Sequence, residues 1–298
     1  MEACVSVIVP SFNRANVLPQ VIPSYLQPEV GELIIVDDAS TDNTEAVVAK
    51  LCESEERIKY IKLSYNSKQP HAQNVGVKAA KYSYIYFGDD DSFLTDGTIA
   101  RLLEVITTEQ CDIAAAKALY MHDEKELQDI PGFIEKETIQ EITEKDKYFD
   151  FDTMEANKKF YYGHVCQIDM CQACFLIKAD LAKKLQFEER LKWNAYREET
   201  DYLLEAKKRG AVLYGVPDAY QINLPRKIMQ GGGAHVHGKL LTLCHSIYNN
   251  HVFLNKHYKY LKTNGMVKRQ KWLLEFIFIY KESLGRVLNV FKRKMKMG

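Results

Sequence analysis

Tyr84-Ile85-Tyr86-Phe87-Gly88-Asp89-Asp90-Asp91-Ser92 is the stretch whose reading decides the fold. An apolar run ends abruptly in three adjacent carboxylates. Like charges packed so closely repel one another, so a cation is expected among them. Hard oxygen donors at the end of a buried strand suit Mg²⁺ or Mn²⁺, above all when a substrate diphosphate completes the shell. The competing reading is a solvated acidic turn, a common loop composition. The flanking chain separates the two.

Working outward, Val5 to Val9, Glu32 to Val36, Ile58 to Leu63, Tyr82 to Phe87 and Ile113 to Ala118 read as strands. Helical patterns lie between them. One runs from Asn16, a candidate cap, to about Gln27, with Pro23 predicting a kink or an early stop. A second follows Asp42 and Glu45 at capping-box spacing. His71 to Lys81 is a third, and Gly97 to Thr107, capped by Asp96, a fourth. This alternation predicts right-handed βαβ units and an α/β fold with a mostly parallel, Rossmann-like sheet flanked by helices. Ligands bind such sheets beyond the carboxyl ends of the strands. Ser11 to Asn13, Asp37-Asp38 and Asp89 to Asp91 occupy three such ends and are expected in one crevice. No glycine-rich fingerprint follows the first strand, which argues against an ordinary dinucleotide fold.

The stretch from Met121 to Phe160 is polar and reads as a variable loop or lid with a little helix. Cys171 to Lys178 returns to strand-like sequence, and Ala179 to Leu185 is a short helix. Tyr196-Arg197-Glu198-Glu199-Thr200-Asp201 opens an amphipathic helix that reaches Arg209 and stops at Gly210. Val212 to Val216 is another strand, Gly231 to His237 a glycine-rich loop, and the remainder helical.

The 298 residues carry 40 basic and 40 acidic side chains, with 46% apolar residues, an ordinary soluble composition. The balance is uneven. From Met266 to Gly298 there are nine Lys/Arg and two Glu, or +7, so the rest of the chain carries −7. No signal peptide or membrane span is expected, since Pro10 interrupts the first apolar run and Trp272 to Tyr280 is too short. Seven Cys without a secretory leader suggest a reducing cytoplasm. Cys166, Cys171 and Cys174 have the spacing of part of an iron–sulfur run, but the fourth ligand is lacking and buried free thiols are the favoured reading.

Four segments resemble, in order and spacing, the motifs of a family 2 glycosyltransferase with the GT-A fold. They are Val7-Ile8-Val9-Pro10-Ser11-Phe12-Asn13-Arg14, Ile35-Val36-Asp37-Asp38-Ala39-Ser40-Thr41-Asp42, His71-Ala72-Gln73-Asn74-Val75-Gly76 and Phe87-Gly88-Asp89-Asp90-Asp91. Arg197-Glu198-Glu199-Thr200-Asp201-Tyr202 resembles the family's later acidic motif. The resemblance covers about residues 3 to 225. It implies a nucleotide-sugar-binding half at 1–110 and an acceptor-binding and catalytic-base half of the same domain at 111–225; outside it, 226–298 reads from its own residues as a flexible loop and a basic amphipathic helical tail.

It also implies roles. Asp38 would accept the base N–H of a uridine-like nucleotide, and Pro10, Ser11 and Asn13 would line base and ribose. Gln73 stands where the family often has Arg, beside Asn74; His71 or Lys68 would compensate there. Asp89, Asp90 and Asp91 would hold a divalent metal on the donor diphosphate, with Asp91 the first candidate for direct ligation. Glu199 stands where the family usually has Asp, so the base is open between Glu199 and Asp201, with Glu198 third. His235 and His237 are either further metal ligands on a mobile loop or surface histidines.

The chemistry is consistent with these residue types. Glycosyl transfer needs the leaving diphosphate neutralised, which a divalent cation does, and one carboxylate to take the acceptor proton. Acids at a helix start also have a purely structural use against the macrodipole. The expected activity is metal-dependent, inverting transfer from a UDP-sugar to a glycan or lipid-linked acceptor; the rival is a catalytically silent binding or assembly protein of the same fold. A nucleotidyltransferase is disfavoured, for want of a glycine-rich loop after the first strand. The tail from Lys268 to Lys296 mixes apolar and basic residues and reads either as a helix lying on an anionic membrane or as one packed on the domain. A cytoplasmic location on the inner membrane face follows from the first reading. No nucleic-acid partner is expected.

Overall fold

The computed structural model describes residues 3–138, 148–156, 163–172, 174–229 and 238–295. The elements in chain order are β1 (Val5–Ser11), α1 (Leu18–Tyr25), β2 (Val30–Asp37), α2 (Thr44–Ser54), β3 (Ile58–Lys62), α3 (Gln69–Ala79), β4 (Tyr84–Phe87), β5 (Ser92–Leu94), α4 (Thr98–Thr108) and β6 (Ile113–Tyr120). After a 3-10 turn at Glu124–Gln128 come α5 (Ile130–Thr138), β7 (Phe149–Asp150), β8 (Glu155–Ala156), β9 (Cys166–Gln167), β10 (Phe175–Lys178), α6 (Ala179–Ala182), α7 (Glu198–Lys208), β11 (Leu213–Asn223), α8 (Lys239–Thr263) and α9 (Lys271–Met295).

The main sheet has the order β3-β2-β1-β4-β10-β6-β11-β5, with β9 beside β11. β3, β2, β1 and β4 run parallel, as the βαβ alternation requires. β10 lies antiparallel between β4 and β6, a departure from a purely parallel sheet. All seven residues of β1 are buried, as expected of a strand covered on both faces. Val5, Val7 and Val9 face a core built with α1 and α4, while Ile8 faces one built with α3, α7 and α8.

Local signals held unevenly. Pro23 sits inside α1, which ends at Tyr25, two residues on. The expected caps did not form: the N-caps of α1, α2 and α4 are Val17, Asn43 and Gly97, none with a side-chain cap bond. Asn16 instead donates to Ile228 O, and Asp42 accepts from Ala15 N and Thr44 N. These side chains found partners in neighbouring loops, which local spacing does not encode. β5 begins directly after the aspartates, so the triplet lies in a tight strand-to-strand turn rather than ahead of a helix.

The C-terminal helices belong to the core. Phe253, Leu254 and Leu261 of α8 and Leu274 and Phe278 of α9 are buried in the cluster that holds Ile8 and Phe87. Among the described residues no helix is long and apolar enough to cross a membrane.

Candidate active site

The adjacency of β2, β1 and β4 brings their carboxyl ends together. Asp38 N donates to Ser11 O, Asn13 N to Ser40 Oγ, and Phe12 N to Asp90 Oδ2 at 3.2 Å. Part of the expected positive charge is supplied by the chain itself. Arg14, 2% exposed, donates through Nε to Asp90 Oδ1 at 3.2 Å and lies 3.6 Å from Asp91 Oδ2. Its Nη1 has no hydrogen-bond partner among the described residues. Arg14 was part of the quoted first motif, and its burial beside a triplet of acids was the missed inference.

Asp89 is held by other means. Gln221 Nε2, on β11, donates to Asp89 Oδ2 at 2.9 Å while Gln221 Oε1 accepts from Tyr86 OH. The buried Tyr25 hydroxyl lies 3.1 Å from both the N and the O of Asp89. Gly88 is required here, because a Cβ would come within 2.8 Å of the Tyr25 ring. No local sequence signal pointed to Gln221, which lies 132 residues from its partner.

Among the described residues, the one guanidinium at the triplet does not balance its three acids. Burial pushes the Asp89 carboxyl well up, and Asp91, Glu199 and Asp90 push it further. Burial raises Asp91 to about 6, with Asp90 adding to the shift and Arg14 opposing it. Asp90 is also raised by burial, moderated by Arg14 and Phe12 N. Among the described residues no three His, Cys, Asp or Glu side chains converge as a ready ion cage. The donor set is the two carboxylates less committed to Arg14, Asp89 and Asp91. That set fits Mg²⁺ or Mn²⁺, which take one or two carboxylates and fill the shell with water and substrate phosphates.

The second acidic motif forms the first turn of α7, with Glu198, Glu199 and Asp201. The three acids part company there. Glu199 is half-buried and close enough to raise Asp89 electrostatically. Glu198 is buried, and burial, Glu199 and Asp89 raise its carboxyl well above the usual range. Asp201 is fully buried, ion-paired to Lys256 Nζ at 2.8 Å and hydrogen-bonded by His257 Nε2 at 2.6 Å. The structure thus brings Glu199 within electrostatic reach of Asp89 and buries Asp201 against Lys256 and His257 of α8.

The other candidates divide as well. Pro10 and Ser11 are buried at the end of β1. Asp38 accepts from Ser67 N at 2.6 Å and Lys68 N at 2.8 Å, so its carboxylate already serves the loop before α3. Asn13, at φ 54°, accepts from Thr41 N and ties two loops together. Gln73 is buried and its Oε1 has no partner among the described residues. Asn74 faces another way, with its amide bonded to Phe187 O and N and to Glu189. His235 and His237 lie outside the described residues. All seven cysteines are free thiols, with Cys171 and Cys174 buried and no disulfide formed.

Comparison with known proteins agrees with this geometry. A 103-residue segment is 39% identical to the GalNAc(5)-diNAcBac-PP-undecaprenol beta-1,3-glucosyltransferase of Campylobacter jejuni, covering 33% of each chain. Over 286 residues the chain is 23% identical to the poly(ribitol-phosphate) beta-glucosyltransferase of Bacillus spizizenii, covering 90% of this chain and 42% of that one. The first five curated relatives are matched over only 33% to 43% of their own length. Among solved structures, S. aureus TarS 1-349 in complex with UDP-GlcNAc superposes with a TM-score of 0.57 at 19% identity, covering 89% of this chain and 75% of that one. GalNAc-T7 with UDP, GalNAc and Mn²⁺ superposes at 0.62 and 14% identity, covering 83% and 47%. These likenesses establish the fold. A profile of glycosyl transferase family 2 matches residues 6–168, more than half of the chain and all of its first crevice wall, and the chain belongs to that family.

Proposed function

We propose that the chain is a metal-dependent, inverting glycosyltransferase that takes a UDP-sugar and extends a glycan or lipid-linked acceptor. One observation carries this reading: buried Asp89 is raised by burial and then by both Asp91 and Glu199, so the acids of the β4 end and of the α7 start lie within electrostatic reach of one another. In this reading Asp38 and the Pro10–Asn13 loop receive the nucleotide, Gln73 turns its unpartnered Oε1 to it, and Asp89 and Asp91 hold the cation. When bound, a divalent cation neutralises the charge developing on the leaving diphosphate. Arg14 keeps Asp90 aligned. Glu199, at the positive end of α7 and partly open to the crevice, takes the acceptor proton as the hydroxyl attacks from the face opposite the diphosphate. Glu198 is buried beside it, its carboxyl held above the usual range by burial, Glu199 and Asp89. Relatives point the same way: one bears a polyprenyl-diphosphate acceptor in its name, and TarS has been crystallised with UDP-GlcNAc.

The test is UDP release with candidate acceptors, preceded by thermal stabilisation across UDP-, GDP- and dTDP-sugars with Mn²⁺. Asp91→Asn should lower turnover by about 10³-fold, the scale of losing a principal charge-stabilising contact. Tight UDP and Mn²⁺ binding with neither transfer nor hydrolysis would favour the silent binding protein.

For location, the proposal is peripheral attachment at an anionic membrane. α9 buries Leu274 and Phe278 but exposes Trp272 (68%), Phe276 (59%) and Tyr280 (55%) on its other side, with Lys268 and Arg269 exposed at its start. Truncating at Met266 would strip the core, so the measurement is flotation with phosphatidylglycerol vesicles. The triple change Trp272→Ser, Phe276→Ser and Tyr280→Ser should abolish binding, and unchanged binding would sink the idea.

A further inference from the structure

The geometry points to a positioning device outside the span matched by the family profile: α8 sets the placement of the acids at the start of α7 through a buried clamp on Asp201. This inference rests on the reading of Glu199 as the base. Asp201 follows Glu199 by two residues on α7, which places the two side chains about 200° apart around the helix. The crevice face therefore carries Glu199, while Asp201 occupies the back.

Asp201 has no exposed surface, and each of its oxygens takes one bond from consecutive residues of α8. Lys256 Nζ donates to Oδ2 at 2.8 Å, and His257 Nε2 donates to Oδ1 at 2.6 Å. Lys256 also lies 3.3 Å from Glu188 Oε2, which anchors the segment leading into α7. His257 is buried and packs on Phe253. A carboxylate tied at both oxygens to adjacent positions of one helix fixes the rotation of α7 about its axis, and with it the direction of Glu199.

A second tie lies at the same helix start. Arg197 precedes α7 at φ 84°, a left-handed conformation that is costly for any residue with a Cβ. Its buried guanidinium donates to Met154 O at 2.6 Å and to Asn250 Oδ1 of α8 at 3.2 Å. It also stacks 4.4 Å from the Tyr196 ring and 5.4 Å from that of Phe278 on α9. Asn249 bonds Lys192 N and O, and Trp193 stacks on His245. One face of α8 therefore holds residues 192 to 201 along their length.

The experiment compares Asp201→Asn, His257→Ala, His257→Gln and Glu199→Gln, with kcat and donor KM measured on the UDP-sugar the wild-type chain turns over. Amide hydrogen exchange at 198–202 is followed in parallel. A clamp predicts kcat lowered tenfold or more in Asp201→Asn and His257→Ala with donor KM within twofold, partial recovery in His257→Gln, and faster exchange confined to the α7 start. Wild-type kcat in His257→Ala, or unaltered exchange, would overturn the clamp. Asp201→Asn as inactive as Glu199→Gln, with His257→Ala near wild type, would make Asp201 the base and overturn it too. Retained activity in Glu199→Gln refutes the base assignment alone, and the exchange data still decide the clamp. If His257→Ala does not fold, Lys256→Met at the less buried partner carries the same comparison.

Discussion

Two acidic clusters face different fates in this molecule. Among the described residues Asp90 and Asp91 share a single guanidinium, Arg14, and burial raises all three aspartates of the triplet. Asp201, Glu188 and Glu205 sit with Lys256, Arg190 and Lys208, one cation for each acid, and His257 donates a further bond to Asp201. The bond from Arg190 brings Glu188 down to about 2, and Lys208 with Lys256 lowers Glu205 against its burial. The residue types are shared. Among the described residues the number of counter-charges differs, and it separates a cluster short of a cation from one in which each acid has its own. An under-neutralised cluster is what a cation-binding crevice requires; a complete one is what a buried strut requires.

The largest contrast should appear on removing an acid from each. Asp201→Ala leaves Lys256 and His257 without their buried partner and should cost about 3–5 kcal/mol. Asp91→Asn relieves repulsion and should cost nothing in the absence of metal. Urea unfolding in EDTA checks both, and equal losses would erase the distinction.

The same contrast explains what the sequence disclosed. The strand ends β1, β2 and β4 and their convergence follow from apolar runs and from the topology of parallel sheets, so Asp38 and Asp89 to Asp91 were placed correctly from spacing alone. The start of α7 was equally legible from Glu198, Glu199 and the stop at Gly210. The partners were not. Asp201 meets Lys256 across 55 residues, and Asp89 meets Gln221 across 132. No periodicity encodes such pairs, so Asp201 and Glu199 looked equivalent in sequence. β10 had the right composition for a strand, but its insertion antiparallel between β4 and β6 is a tertiary fact. The tail's apolar residues were visible; that Leu274 and Phe278 are buried while Trp272 and Phe276 are exposed required the packing of α9.

A smaller effect tests the lone cation. Arg14→Met leaves Asp90 and Asp91 facing each other and should cost about 2 kcal/mol in the metal-free chain, the scale of an unpaired buried polar group. Because the vacated charge invites a replacement, Mn²⁺ should stabilise this variant more than the wild type. Differential scanning fluorimetry with and without Mn²⁺ measures it. Equal metal-induced shifts would mean that Arg14 and the metal do not compete for the same carboxylates.

The smallest and most specific effect is on pH. Asp91 titrates at about 6 in the folded chain, against about 3.9 for an unperturbed aspartate. Between those values the folded state binds more protons than the unfolded one. Stability from this group is therefore fully present below pH 4 and is lost as pH rises through 6. Asp89 and Asp90, raised in the same direction, extend the loss. Asp91→Asn removes the titration. Its metal-free stability relative to wild type should be near zero at pH 4 and higher by on the order of 2 kcal/mol at pH 8. Glu188 and Glu205, beside Asp201, give a control, because both are held down and favour the folded state as pH rises through the acid range. With Mn²⁺ and UDP present, the order at pH 8 should reverse, since only the wild type keeps both proposed metal carboxylates. Urea titrations at pH 4, 6 and 8 read the difference directly, and a gap that stays flat across that range would show that the crevice acids were already balanced.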